Sequence, residues 1–260
     1  MEKFDNELPA IEKQISEEGY SPDVCLKYGL ALHRQGRTDE AREAFSRGLS
    51  LDPFHVELRH QRARKSMATN YWQAISDYSL AARLKPEYWE IWYYMGVTYY
   101  FVRDYSQSLA CFLTCLDKGK GSGDSLIPTV DWLWTVSKQL GLADAGKYLD
   151  LVDENAPLED EDNYAYYRRI LLYKGKLDPD HFFDHGELKR RGGSDADFVT
   201  QAYGLANWRR FRGEMKEAGE ILRQIREHPG MPGAFAYILA ARDIQEFGFN
   251  ESLEIQNRSD

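Results

Sequence analysis

A motif of about 34 residues recurs three times in the first half of the chain, and this repetition limits the folds that the chain can adopt. The segments 22–53, 56–86 and 90–120 align so that small side chains fall in two columns and large rings in a third. The small columns hold Ala41, Ala74 and Ser108, then Gly48, Ala81 and Cys115, and the aromatic column holds Phe45, Tyr78 and Phe112. The first column recurs at spacings of 33 and 34 residues, a length that suits two short helices and a turn.

The residue type in each column is explained by the packing of two antiparallel helices. Small residues such as Gly29, which Gly96 matches in the third segment, let two helices approach closely. Large rings fill the space between one pair and the next, and Pro53 and Pro86 stop the second helix of their pairs. The repeat therefore predicts stacked helix pairs.

This pattern, with Trp92 in the first helix of the third segment, resembles that of the tetratricopeptide repeat (TPR) family. The resemblance implies an all-α fold, a right-handed superhelical solenoid of antiparallel helix pairs. It also implies a non-catalytic scaffold that binds a protein or peptide in a concave groove lined by the first helix of each pair.

The second half resembles bacterial TPR proteins of unassigned role, at "NYAYYRRILLYKG", "QAYGLANWRRFRGEMKEAGEIL" and "GAFAYILAA". More loosely, the order of its pairs is similar to that of a bacterial TPR lipoprotein adaptor family. The second helix of its first pair is predicted from Ala145, Leu149, Val152 and Pro157. The predicted domains are a capping helix over 1–20, three repeats over 21–120, a linker loop over 121–128, degenerate helix pairs with a closing helix over 129–248, and a flexible tail over 249–260.

The resemblance also implies which side chains face the groove. In the three repeats these are Leu26, Leu30 and His33, then Arg59 and Ala63, then Tyr93, Val97 and Tyr100. In the later pairs the matching positions are Trp134, Tyr203, Asn207 and Arg210. Chaperone receptors of the family use lysine and asparagine where this chain has Leu26 and Leu30, so a chaperone tail is not the expected ligand. We expect an apolar and aromatic groove that suits an extended peptide or a partner helix.

The aromatic stretch "EIWYYMGVTYYF" (90–101) is predicted to divide into two faces of one helix. Trp92, Gly96 and Tyr99 hold packing positions, whereas Tyr93 and Tyr100 are expected to be exposed in the groove.

Nucleic-acid binding is the alternative function. The clusters at 59–65 and 209–216 contain arginines beside aromatic residues, a mixture that can hold single-stranded RNA. The chain has 33 basic and 42 acidic residues, a net charge of −9, and phosphate binding requires positive charge. We therefore expect these arginines to lie on solvated helix faces, with a protein as the partner.

Neither a catalytic residue nor a cofactor is predicted. The strongest metal hypothesis is "HFFDH", in which His181 and His185 stand one helical turn apart around Asp184, but a third ligand is not identifiable. Cys111 and Cys115 are also one turn apart, and Cys115 fills a small-residue column, which favours buried thiols.

No signal peptide or membrane-spanning stretch is recognisable, and the three cysteines do not form a disulfide framework, so a cytoplasmic protein is expected. Self-association is a further expectation, because the closing helix carries Ala234, Ala236, Ala240 and Ala241, which permit close approach.

Overall fold

The computed structural model describes residues 7–120, 123–155, 163–182, 195–228 and 234–249. Within these ranges the chain consists of helices joined by turns, so the predicted all-α class is confirmed. The chain divides into two compact units, Met1–Lys118 and Gly119–Asp260.

The first unit begins with a helix ahead of the three repeats and then has two helices for each repeat. These helices are α1 Glu7–Glu18, α2 Pro22–Arg34, α3 Thr38–Leu51, α4 Val56–Ser66, α5 Tyr71–Leu84, α6 Trp89–Phe101 and α7 Tyr105–Lys118. Each helix packs against the next along the chain from α1 to α7.

Local interactions fix where helices of the first two repeats begin and where the chain turns between them. The Ser21 side chain accepts a hydrogen bond from the backbone N–H of Val24 (3.2 Å), and Pro22 occupies the first position of α2. Gly36 has φ +79° in the turn between α2 and α3, a left-handed conformation that favours glycine. Asn70 caps α5 by accepting from the N–H of Gln73 (3.1 Å).

The glycines and the rings that were predicted to pack are in contact, but within one helix pair, whereas the rings were predicted to fill the space between one pair and the next. A Cβ atom on Gly29 would lie 2.7 Å from Cδ1 of Phe45, and one on Gly96 would lie 3.0 Å from Cζ of Phe112. Both rings are completely buried. Since only glycine leaves room for the ring at this approach, the glycine of the first helix and the ring of the second helix form one contact.

The second unit contains helices that are less regular in length. They are α8 Gly123–Gln139, a 3₁₀ helix Ala145–Leu151, α9 Tyr164–Tyr173, a 3₁₀ turn Pro179–His181, α10 Asp195–Phe211, α11 Met215–Glu227 and α12 Phe235–Glu246. Helix α9 packs against α8 and α10, and α12 packs against α10 and α11.

Helix α8 begins inside the segment that we expected to be a linker loop. The glycines, Asp124 and Pro128 of 121–128 favour a loop, yet residues from Gly123 onward are helical, with Pro128 inside the helix. Leu126 and Ile127 pack against the buried cluster that contains Val130 and Ile170, and this burial offsets the poor helix propensity of the segment. The loop prediction is therefore wrong from Gly123; residues 121 and 122 lie outside the described ranges.

The second helix of the first degenerate pair is a 3₁₀ helix and not the predicted full helix. Ala145, Leu149 and Val152 are nevertheless buried, as their column positions predicted, while Pro157 lies outside the described residues. The columns indicated the correct buried side, but not the type of helix.

Two local features fix the end of α9 and the start of the following turn. Helix α9 ends just before Gly175, which has φ +72°. Asp178 caps the turn that begins at Pro179 by accepting a hydrogen bond from the N–H of Asp180 (3.0 Å).

The closing helix α12 is packed within its own unit. Ala236 and Ala240, which we had expected to permit self-association, are buried, and α12 contacts α10 and α11. The small side chains therefore serve contacts inside the chain. Within the described residues, no helix combines the length and apolar character needed to cross a membrane.

Candidate functional site

The predicted groove residues of α6 are buried. Tyr93 is 7% exposed, and Val97 and Tyr100 are completely buried. The Tyr93 ring makes an edge contact with Phe112 (centroids 5.9 Å apart), and the Tyr100 ring packs against Tyr105 (5.2 Å). The predicted exposure of these three side chains is wrong, because the side of α6 that carries them is covered by neighbouring helices.

Conversely, the two residues of α6 assigned to packing lie partly at the surface. Trp92 and Tyr99 are half-buried, and the Trp92 indole N–H donates to the backbone carbonyl of Pro86 (2.8 Å). Only Gly96 of the three predicted packing residues is fully enclosed.

The predicted groove positions on α2 are accessible. Leu26, Leu30 and His33 are half-buried and lie on one face of the helix at spacings of four and three residues. Leu26 and Leu30 pack against the core of the first unit while leaving part of their surface open. On α4, Ala63 is buried, and Arg59 is engaged in an internal ion pair.

Most arginines of the first cluster are used inside the protein. The buried carboxylate of Asp77 accepts hydrogen bonds from Arg59 Nη1 (2.8 Å) and from Arg62 Nε (2.7 Å) and Nη2 (2.8 Å). Arg59 also donates to the carbonyl of Pro53. The single carboxylate offsets one of the two positive charges and holds both guanidinium groups inside the protein, which reduces the charge available for nucleic-acid binding.

Two cations of the same helix stand apart from this network. Among the described residues, Arg64 and Lys65 have no carboxylate within ion-pair distance, and Arg64 lies over the Tyr94 ring at 4.6 Å. Burial, and then the charge of Arg64, lowers the pKa of Lys65 to about 8. Burial lowers the pKa of His33 as well, with smaller effects from Lys65 and Arg64. The three groups therefore lie within one region of positive potential, which we call the basic cluster.

The second arginine cluster is also paired. Arg209 forms ion pairs with Asp180 and with Glu214 (2.7 Å), and Arg212 pairs with Glu214 (2.8 Å). Arg210, a predicted groove residue, donates to Gln139 and to Asn207 and lies over the Phe247 ring at 4.7 Å. These cations hold elements of the second unit together.

The remaining groove positions of the second unit are buried. Trp134 stacks on Tyr173 with centroids 3.7 Å apart, and Asn207 is 1% exposed. Tyr203 is 1% exposed, and its hydroxyl donates to Asp243 (2.9 Å). One side of the Tyr203 ring, however, borders a cavity.

This cavity lies between α8, α9, α10 and α12 and has a volume of about 320 Å³. Its walls are mainly aromatic and aliphatic, with one guanidinium, and we call it the Arg169 cavity. It is lined by Trp132, Tyr166, Arg169, Ala196, Thr200, Tyr203, Ala234, Phe235, Ala236 and Leu239. Only Tyr203 was assigned to a binding surface from the sequence, since a buried arginine in an aromatic helix has no distinctive pattern.

Metal binding gains no support from the described residues. They contain no group of three histidine, cysteine or acidic side chains placed to hold a metal ion. His181 is exposed, and its ring nitrogen lies 2.6 Å from Asp178, which raises the pKa of His181. Asp184 and His185 lie outside the described ranges. Cys111 and Cys115 are buried free thiols, as predicted.

Comparison with known proteins supports the repeat assignment. The sequence profile of the tetratricopeptide repeat matches residues 22–55. Curated protein sequences gave no match.

Solved structures share the fold at low sequence identity. A tetratricopeptide repeat protein from Parabacteroides merdae is 16% identical, with 90% of each chain covered and a TM-score of 0.60. A MamA protein is 17% identical over 68% of this chain and 87% of its own, with a TM-score of 0.51. The chain therefore carries a tetratricopeptide repeat at residues 22–55 and has the fold of tetratricopeptide repeat proteins.

Proposed function

We propose that the chain is a non-catalytic interaction scaffold whose first unit binds an acidic segment of a protein partner. The segment contacts the basic cluster of His33, Arg64 and Lys65 and the half-buried leucines Leu26 and Leu30 of α2. One observation carries the proposal: Arg64 and Lys65 form no ion pair with a described carboxylate, whereas Arg59 and Arg62 of the same helix are paired with Asp77.

The energetic state of Lys65 supports this assignment. A lysine whose pKa is lowered to about 8 is less stable in its charged form than it would be in water. A carboxylate from a partner would remove this penalty by pairing with the ammonium group. An incoming acidic segment therefore gains charge pairing without displacing an internal ion pair.

Apolar contacts next to the cluster would supply the remaining affinity. Leu26 and Leu30 are anchored in the core of the first unit, so their exposed surfaces are held in place. Burying rigid apolar surface costs little conformational entropy. A partner that alternates acidic and leucine-like side chains fits both features.

The test uses short fluorescent peptides in which leucine alternates with glutamate, and matched peptides in which lysine replaces glutamate. We expect the acidic peptides to bind, and the double substitution R64Q/K65Q to weaken binding about tenfold or more. The control variant R83Q/K216Q removes two exposed cations from α5 and α11 and should leave affinity unchanged.

Equal binding of acidic and basic peptides, or full affinity in R64Q/K65Q, would overturn the proposal. A parallel titration with single-stranded RNA examines the alternative function. Tight RNA binding that falls with salt and with R64Q/K65Q, without peptide binding, would favour the nucleic-acid interpretation instead.

A further inference from the structure

The helices around the Arg169 cavity are joined to one another by specific buried contacts. Asp131 of α8 pairs with Arg169 of α9, with Oδ2 and Nη2 2.8 Å apart. The Arg169 stem fills the space in front of Gly204 of α10, where a Cβ atom would lie 2.6 Å from Cδ of the arginine. The Tyr203 hydroxyl of α10 donates to Asp243 of α12 (2.9 Å). Movement of the helices to close the cavity would therefore disrupt these contacts.

Small side chains on two of these helices leave the space open. Ala196 and Thr200 line the cavity from the same face of α10 as Tyr203, at spacings of four and three residues. Ala236 lines it from α12, three residues before Leu239. A leucine in place of Ala196 or Thr200 would take up part of the volume. The choice of small residues on the walls therefore maintains the cavity.

The polar groups of the wall are already used inside the protein. Arg169 is paired with Asp131, and its Nε donates to the Tyr173 hydroxyl (3.1 Å). The Tyr203 hydroxyl is taken up by Asp243. An anionic ligand would have to compete with Asp131 for the guanidinium, and a cationic ligand would be repelled by it. The wall therefore favours a ligand without charge.

Most of the remaining wall is formed by aromatic rings. Trp132, Tyr166, Tyr203 and Phe235 line the cavity together with Leu239. Trp132, Tyr203 and Leu239 are each 1% exposed, so close packing holds these side chains in position. Aromatic rings attract a further ring by edge and face contacts in addition to the burial of apolar surface. An apolar cavity of about 150 Å³ is enough to bind benzene. The volume of about 320 Å³ therefore suits one ring or two fused rings.

We propose that the Arg169 cavity binds a small uncharged aromatic molecule of one or two rings. The ring lies against Trp132, Tyr203 and Phe235, and burial of its surface and ring contacts supply the affinity. This site belongs to the second unit and is separate from the peptide interaction proposed for the basic cluster.

The experiment uses calorimetric titration at pH 8 with ligands that share a shape but differ in charge or aromaticity. At this pH Asp131, whose pKa is raised to about 7 by burial, is charged and paired with Arg169. Indole is compared with tryptamine and with indole-3-acetate, which carry the same ring with a positive or a negative charge. Phenol is compared with cyclohexanol, which has a similar size and the same hydroxyl group without the aromatic ring.

We expect indole and phenol to bind with Kd values below about 1 mM. Indole should bind about tenfold or more tightly than either charged derivative, and phenol about threefold or more tightly than cyclohexanol. No binding of indole or phenol at millimolar concentrations would overturn the proposal. Equal or tighter binding of a charged derivative, or of cyclohexanol, would overturn the ligand class.

Variants of the wall test where the ligand binds. A196L and T200L each add volume to the α10 side of the cavity without changing its charges, and each should weaken indole binding about tenfold or more. A110L makes the same change as A196L on the exposed side of α7 and should have no effect. Full affinity for indole in A196L and T200L, with circular dichroism showing that both are folded, would contradict the inference. The ligand comparison on the unmodified protein decides the ligand class without these variants.

The two proposals can fail separately. Both wall variants lie in the second unit, whereas the acidic peptides are tested on Arg64 and Lys65 in the first unit. Loss of indole binding in A196L should therefore leave peptide binding unchanged.

Discussion

The carboxylate of Asp131 and the guanidinium of Arg169 form an ion pair, with Nη2 and Oδ2 2.8 Å apart, in which both side chains are almost completely buried. The pair joins α8 to α9 beneath the Arg169 cavity. Burial of two charges costs more than their attraction alone returns unless further hydrogen bonds are made. Arg169 Nε also donates to the Tyr173 hydroxyl (3.1 Å), and this hydrogen bond supplies part of the compensation.

We expect the loss of free energy of unfolding in D131N to depend on pH. The folded-state pKa of Asp131 is about 7, above the ordinary value of 3.8, so the folded protein holds this proton more tightly than the unfolded chain. The stability that Asp131 contributes is complete below about pH 4 and is lost as the pH rises toward and through 7. Urea denaturation of both proteins between pH 5 and 8 should show a stability difference that becomes smaller with increasing pH. A difference that grows with pH would mean that Arg169 lowers this pKa.

The contacts between the helix glycines and the aromatic column predict that glycine-to-alanine substitutions destabilise the protein to different extents. In G29A the new methyl group would overlap the Phe45 ring, and we expect a loss of about 2–3 kcal/mol in the free energy of unfolding. In G96A the contact with Phe112 begins at 3.0 Å, and a loss of about 1 kcal/mol is expected.

The matched control is G146A in the 3₁₀ helix, where a Cβ atom would meet nothing within 4 Å. Chemical denaturation of the three variants should give losses in the order G29A, G96A, G146A. A loss in G146A equal to that in G29A would show that backbone freedom, and not helix approach, explains the glycines.

Removal of Tyr93 and Tyr100 should destabilise the protein. Both rings are buried against aromatic neighbours, and truncation of a large buried ring costs about 3–5 kcal/mol. The double variant Y93A/Y100A should melt at a much lower temperature or fail to fold, as followed by circular dichroism. W72A removes a tryptophan that is 70% exposed and should melt close to the wild type. A normal melting temperature in Y93A/Y100A would instead support the prediction that Tyr93 and Tyr100 are exposed in a groove on α6.

Asp77 should contribute strongly to stability, because it joins the two arginines of the first cluster. In D77A the Arg59 and Arg62 guanidinium groups, which are mostly buried, lose their shared carboxylate, and we expect a loss of about 3 kcal/mol. E40Q removes an exposed pair with Arg37 and should cause no measurable change in the denaturation midpoint. An unchanged free energy of unfolding in D77A would indicate that water replaces the carboxylate.

The sequence was most informative where a pattern repeated. The periodic Gly29, Phe45 and Gly48 positions predicted helix pairs and the residues that join them, because close approach permits few side chains. The irregular second half gave no such constraint. There the turn residues of 121–128 suggested a loop, but burial of Leu126 and Ile127 favoured a helix.

The candidate sites were less predictable than the fold. Family positions placed Tyr93, Val97 and Tyr100 in an open groove, although the packing of α6 between its neighbours encloses them. The two arginine clusters could not be distinguished from the sequence. In the structure Asp77, Asp180 and Glu214 form ion pairs with arginines of these clusters. Arg64 and Lys65 form no such pair with a described residue.

The sequence by itself determined the repeat, the all-helical class and the glycine–aromatic contacts, because these depend on spacing along one chain. The tertiary structure alone decided which cations are neutralised, which rings are buried and where a cavity forms. These properties depend on partners that are distant in sequence, such as Asp131 and Arg169, and a single helix pattern cannot show which residues will meet.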